Sequence, residues 1–153
     1  MTHILDETDR RILTLLQKDA SMSVDDISAT VHLSRNACWR RIKAMEQAGI
    51  ITGRVALVDA AKVGLPLTAL VMIRTNAHDR HWMDQFQAAL RSLPEIVGAY
   101  RMTGDLDYVL RVKVADVPAY DAFYKRLIAR ITVSDISASF VMEEIKDTTA
   151  LPI

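Results

Sequence analysis

Asn36, Arg40, Lys43 and Gln47 recur at intervals of three and four residues. At about 100° per residue they fall within one narrow sector of a helix, with Cys38, Ile42 and Met45 on the opposite side. Amide and guanidinium groups on one polar face can pair bidentately with adenine and guanine in a DNA major groove, and a lysine on that face can meet phosphate. Ser34 and Arg35 stand where such a helix would begin, a position whose backbone N–H groups also suit a phosphate. Trp39 lies between the two faces, and either packs under a neighbouring element or lies against the sugar-phosphate backbone. Arg41 flanks the apolar face and is expected to make a structural hydrogen bond rather than read a base. A second group, Gly104-Asp105-Leu106-Asp107-Tyr108, puts two carboxylates two residues apart. These could bind an ammonium group or act as general acid and base, although Gly and Asp also collect in turns for backbone reasons.

Other chemistries find less support. His78 and His81 are one helical turn apart, but no thiol or carboxylate completes a zinc set at a recognisable spacing, and His3 and His32 are remote. No metal site, glycine-rich phosphate loop or nucleophile with a histidine partner is evident, so no catalytic residue is assigned. Cys38 is the single cysteine, which excludes an intramolecular disulfide and fits a reducing compartment. On the apolar stripe, it reads as a small core residue.

The elements that must position these residues follow from periodicity and capping. Asp9, Ile12, Leu13 and Leu16 share a face of a first helix over residues 6–18. Ser23 with Asp26 matches a capping box for a short second helix ending near His32. Ser34 then caps a third that runs to Ala48 and stops at Gly49. Two helices joined by so short a turn form a helix-turn-helix candidate. Residues 50–58 read as two short strands reversing at Thr52 and Gly53, a small wing. Residues 59–66, with Gly64 and Pro66, contain the expected linker.

The remainder reads β-α-β-β-α-β, with strands over 67–75, 96–102, 108–114 and 137–145 and a hairpin at 103–107 between the second and third. Trp82, Phe86, Leu90 and Leu93, and Tyr120, Phe123, Tyr124, Leu127 and Ile131, recur at helical spacing. This is the ferredoxin-like order. Both faces of the first strand are largely apolar, and two helices cover only one, so a second subunit is expected on the other. The resulting class is α+β: a winged helix-turn-helix over residues 1–60, a linker at 61–66 and a ferredoxin-like domain over 67–153.

Composition sets the outer limits. The 153 residues are half apolar and a quarter charged, with five Gly and four Pro, which excludes disordered, collagen-like and large multidomain classes. No apolar run approaches a membrane span and no signal-peptide pattern opens the chain, so a soluble, cytoplasmic protein is expected. Nineteen basic and nineteen acidic residues cancel overall. Their distribution is uneven: residues 6–26 carry a net of −3, whereas residues 35–54 carry Arg35, Arg40, Arg41, Lys43 and Arg54 against Glu46 alone, a net of +4. That local basic segment is the footprint expected of a double-stranded DNA contact, and it adds Arg54 to the contact candidates.

Taken together in order, Leu5, Asp6, Asp9 and Ile12, then Ser34 with Cys38, Arg41 and Ile42, then Gly49-Ile50-Ile51, the Gly104 to Tyr108 run and Val141-Met142-Glu143-Glu144 resemble the Lrp/AsnC (feast/famine) transcriptional regulators over nearly the whole chain. The resemblance implies a DNA-binding regulator, not an enzyme, whose DNA binding or assembly answers a small-molecule effector, usually an amino acid. It also implies homodimers assembling into higher oligomers, commonly octamers. It nominates Gly104, Asp105 and Asp107 as effector contacts, with Tyr100, Val133, Ser134 and Asp135 as weaker lining candidates. The tail from Met142 onward and Ala37-Cys38-Trp39-Arg40-Arg41 are most similar to the branch that senses cysteine. The chain departs from the family pattern at Leu106, at Asn36-Ala37 and at Ile131-Thr132. Two alternatives remain open at this level: a tetrapyrrole (siroheme-type) decarboxylase of related fold, and a small-molecule sensor module that does not bind DNA.

Overall fold

The computed structural model describes residues 4–153, so His3 lies outside the described residues. Two compact units are formed, one by the residues up to Leu57 together with Lys146–Ile153, the other by Val58–Ile145. The last eight residues, read above as the end of the second domain, therefore cluster with the first unit. The Gln17 side-chain amide accounts for this locally: it accepts the Leu151 N–H at 2.6 Å and donates to the Leu151 carbonyl at 3.3 Å.

In the first unit, α1 spans Glu7–Lys18, α2 Val24–Val31 and α3 Arg35–Gln47. Each has an acceptor at its N-cap: Asp6 for the Asp9 N–H, Ser23 for the Asp26 N–H and Ser34 for the Ala37 N–H. These bonds satisfy backbone donors that helix geometry leaves open. The reciprocal capping box is at α1, where Asp6 and Asp9 each accept the other's N–H. At Ser23 the expected box is incomplete, because the Asp26 carboxylate takes the Ser23 hydroxyl instead of its backbone N–H. Between α2 and α3 the chain reverses at His32, whose φ of 58° is left-handed. Gly49, at φ 72°, ends α3 in the conformation that glycine tolerates best. Ile12, Leu13, Ile27, Val31, Cys38, Ile42 and Met45 form the buried centre of the three helices.

Residues 50–58 form no strand, so the two short strands expected there are corrected to an irregular segment following α3. Val55, Leu57 and Val58 are exposed. A ladder needs a partner strand, and the described residues offer none to this stretch. The expected linker is an ordered turn: Asp59 accepts the Ala61 and Lys62 N–H groups, and the Leu65 N–H donates to the Ala60 carbonyl.

The second unit contains β1 (Leu67–Arg74), α4 (Arg80–Ser92), β2 (Ile96–Arg101), β3 (Tyr108–Val114), α5 (Val117–Ile128) and β4 (Asp135–Phe140). The antiparallel sheet has the order β2-β3-β1-β4, which matches the ferredoxin-like reading. β4 begins two residues before the expected 137 and ends five before 145, because it pairs with β1 only from Arg74↔Asp135 to Ala69↔Phe140. Ala69, Val71 and Ile73 of β1 and Tyr108, Leu110 and Val112 of β3 pack with Trp82, Phe86, Phe123 and Leu127 of the helices. The opposite sheet face carries Leu70, Met72, Tyr100 and Val109 beside Arg111 and Lys113, and is partly exposed. Among the described residues no helix is long and apolar enough to cross a membrane.

Candidate functional site

On α3, Cys38, Ile42 and Met45 are the buried residues, so the helix phase puts Asn36, Arg40, Lys43 and Gln47 on the surface as expected. Arg41 does not share that surface. Its Nη1 donates to Asp6 Oδ2 at 2.7 Å and to Asp9 Oδ1 at 2.8 Å. The Asp9 side chain is only 2% exposed, so a buried carboxylate on α1 is matched by a guanidinium from α3. The two carboxylates raise the Arg41 pKa above its ordinary value. The Asp9 N–H, and then the Arg41 guanidinium, hold the Asp6 carboxyl below the usual carboxylate range. One cluster thus caps α1 and locks the rotation of α3. An acid on the apolar stripe of α1 was its sequence signal, since a buried carboxylate demands a partner.

The remaining basic residues differ in how they are held. Arg35 pairs with Asp25 at 3.1 Å, while Lys43 and Arg54 share Glu46 at 2.6 and 3.4 Å. These exposed pairs are worth about 0 to 1 kcal/mol each and exchange readily for another anion. Among the described residues the Arg40, Asn36 and Gln47 side chains make no hydrogen bond or ion pair. Trp39 is about half exposed and has no wing strand above it. Burial pushes the Cys38 thiol pKa up, which keeps it protonated and inert as a nucleophile.

The second candidate group is organised by the end of β1. Asp107 accepts the buried Thr75 N–H at 2.8 Å through Oδ2, and its own N–H donates to the Ile73 carbonyl at 3.0 Å. Arg74 Nε donates to the Asp105 carbonyl at 2.9 Å, and its Nη1 lies 3.8 Å from the Asp135 carboxylate. The Arg74 carbonyl in turn accepts the Ser134 N–H at 3.0 Å. Gly104, at φ 98°, takes a backbone conformation that L side chains rarely adopt, and it closes the hairpin. Gly104, Asp105 and Asp107 are therefore brought together with Ser134 and Asp135 through Arg74 and Thr75, two residues that motif reading did not select. Only strand register reveals them.

Two nominated lining residues stand apart. Tyr100 lies on edge strand β2 opposite Val109, half exposed, with its ring close to Gly98. Val133 is half-buried and packs against the core of the sheet unit. Trp82 Nε1 bonds the Thr132 carbonyl at 2.6 Å, which fixes the entry to the 133–135 segment. His78 Nε2 lies 3.9 Å from the Asp107 carboxylate. No three His, Cys, Asp or Glu residues among those described are placed to hold a metal ion.

The fold and these two groups define a class, a helix-turn-helix DNA-binding unit in one chain with a ligand-binding α+β unit. Family models match accordingly: winged helix-turn-helix DNA-binding over residues 5–52, and Lrp/AsnC ligand binding domain over residues 68–151. The chain is 46% identical over 151 residues to the DNA-binding transcriptional activator DecR of Escherichia coli strain K12, covering 98% of this chain and 99% of that relative. An AsnC family transcriptional regulator from Agrobacterium tumefaciens superposes with a TM-score of 0.93 at 50% identity. A transcriptional regulator from Neisseria meningitidis, solved in complex with L-Met, does so with a TM-score of 0.93 at 35% identity. Each alignment covers 97% of both chains. The chain belongs to the Lrp/AsnC family and is a DNA-binding transcriptional regulator. Kinship with regulators decides against the decarboxylase and the module that does not bind DNA.

Proposed function

We propose that this regulator reads its operator through Asn36, Arg40 and Gln47, with Ser34, Arg35, Lys43, Arg54 and Trp39 along the phosphate backbone, and that an amino acid bound at the Gly104 hairpin sets its DNA affinity or assembly. The observation that carries the DNA reading is that the Asn36, Arg40 and Gln47 side chains have no partner among the described residues, on a helix whose neighbouring Arg41 is tied to Asp6 and Asp9. The effector reading rests on the gathering of Asp105, Asp107, Ser134 and Asp135 around one strand end, and on the L-Met complex of the Neisseria relative. Cysteine is the first effector to test, because of the likeness of residues 37–41 and the tail to the cysteine-sensing branch. The functional division is 1–60 for DNA, 61–66 as joint and 67–153 for effector and assembly. A homodimer through the partly apolar open sheet face, building to a higher oligomer such as an octamer, completes a cytoplasmic regulator. Effector and DNA then share a coupling free energy that acts equally in both directions.

Fluorescence anisotropy tests this reading, with a duplex from immediately upstream of the protein's own coding region and a scrambled duplex, across a salt series. Tighter binding to the native duplex, altered by L-cysteine, is the expected result. Equal and steeply salt-dependent binding to both duplexes would contradict specific readout.

A further inference from the structure

The Arg74 side chain touches both the hairpin, at Asp105, and the 133–135 segment, at Asp135, and most of its hydrogen-bonding capacity is unused among the described residues. Its Nε is spent on the Asp105 carbonyl. Its Nη groups, half exposed, make no hydrogen bond among the described residues, the Asp135 carboxylate standing 3.8 Å away. A guanidinium held by one edge and open at the other is preorganised for a carboxylate fork. Around it stand Asp105, whose carboxylate has no hydrogen bond or ion pair among the described residues, and Asp135, held only by the 3.8 Å ion pair with Arg74, whereas Asp107 already accepts the Thr75 N–H. One cation with free donors beside two carboxylates complements a zwitterion: an anion for Arg74 and an ammonium for the aspartates.

We infer that Arg74 anchors the α-carboxylate of the effector, and that the site selects amino acids with uncharged side chains. The inference rests on the effector reading above and adds to it a residue and a ligand class. Acidic amino acids are disfavoured, since a second carboxylate would meet Asp105, Asp107 and Asp135 at low separation. Bracing of the hairpin through the Asp105 carbonyl makes Arg74 a positioning group as well, so the test must separate the two roles.

Isothermal titration of the full-length protein with L-cysteine, L-methionine, L-glutamate and cysteamine, under reducing conditions, does so. Wild-type protein is expected to bind L-cysteine or L-methionine and to discriminate against L-glutamate. Arg74→Ala is expected to weaken the amino acid by about ten- to a hundredfold, the range for a charged hydrogen-bond pair. Cysteamine lacks the carboxylate, so combining it with Arg74→Ala should weaken binding no further than either change alone. Arg74→Lys, which keeps the charge without the fork, should recover part of the loss. Unchanged affinity in Arg74→Ala, or losses that add when cysteamine is used, would overturn the anchor while leaving the effector site standing. L-glutamate binding as tightly as L-cysteine would overturn the ligand class. If the wild type binds none of the amino acids, the effector reading itself falls, and the anchor with it.

Discussion

The recognition helix and the Gly104 hairpin each gather charge of one sign, but they hold it in different ways. On α3 the charges are met side chain to side chain: Asp25 takes Arg35, Glu46 takes Lys43 and Arg54, and Asp6 with Asp9 take Arg41. At the hairpin the backbone does most of the holding, with the Thr75 N–H on Asp107 and the Asp105 carbonyl on Arg74. A helix spends its own N–H and C=O groups internally, so its surface side chains must find one another or a partner molecule. A strand end still has backbone groups to offer, and these fix a turn while leaving carboxylates open. The unfilled groups consequently differ: guanidinium and amide donors on α3, carboxylates and one half-used guanidinium at the hairpin.

The contrast is most open to attack at Arg41. Arg41→Ala leaves Asp9 buried without its cation, and it is expected to cost about 2 to 4 kcal/mol of stability, somewhat less than a fully buried pair because Arg41 is partly exposed. Chemical denaturation followed by circular dichroism measures this, and a loss under 0.5 kcal/mol, about the size of an ordinary surface change, would show that the cluster does not hold α3. Next in size is Arg40→Ala, which should weaken the cognate duplex by about 1 to 3 kcal/mol while leaving the denaturation midpoint and assembly unchanged. Unaltered anisotropy titrations would remove Arg40 from the contact surface. Asp105→Ala should weaken effector binding by about 1 to 2 kcal/mol without abolishing DNA binding in the absence of effector, checked by calorimetry and anisotropy on the same preparation.

The smallest effect concerns pH. Asp6 has its pKa lowered by the Asp9 N–H and by Arg41, so its contribution is fully present above the ordinary carboxylate range and is lost as pH falls through the depressed value. Thermal melts should therefore lose stability on acidification below about pH 4, and Asp6→Asn should flatten that part of the profile. A profile identical to wild type would mean that the Asp6 contacts are energetically silent.

The helical half was largely legible in advance, for a local reason. Caps at Ser23 and Ser34, the stop at Gly49 and the buried triplet Cys38, Ile42, Met45 depend on residues within one or two turns of each other. Most of the differences from expectation involved remote partners. Residues 50–58 alternate plausibly but have no strand to pair with. β4 was displaced because its bounds come from register with β1. The tail clusters with the first compact unit, where the Gln17 amide meets Leu151 at a separation of 134 residues. The capping box is a local exception: geometry completes it at Asp6 and Asp9 rather than at Ser23 and Asp26.

From the amino acids alone came the class, the face of α3 turned outward, and the hairpin with its carboxylates, because periodicity, capping and turn chemistry act over short spans of chain. Tertiary structure decided which charges are already spent. It bound Arg41 to Asp9, left the Arg40 side chain without a partner among the described residues, and carried Arg74 and Thr75 to the hairpin across some thirty residues of chain. Whether a polar group is free depends on what folding brings within hydrogen-bond distance of it, and that distance is not written in the spacing of residues along the chain.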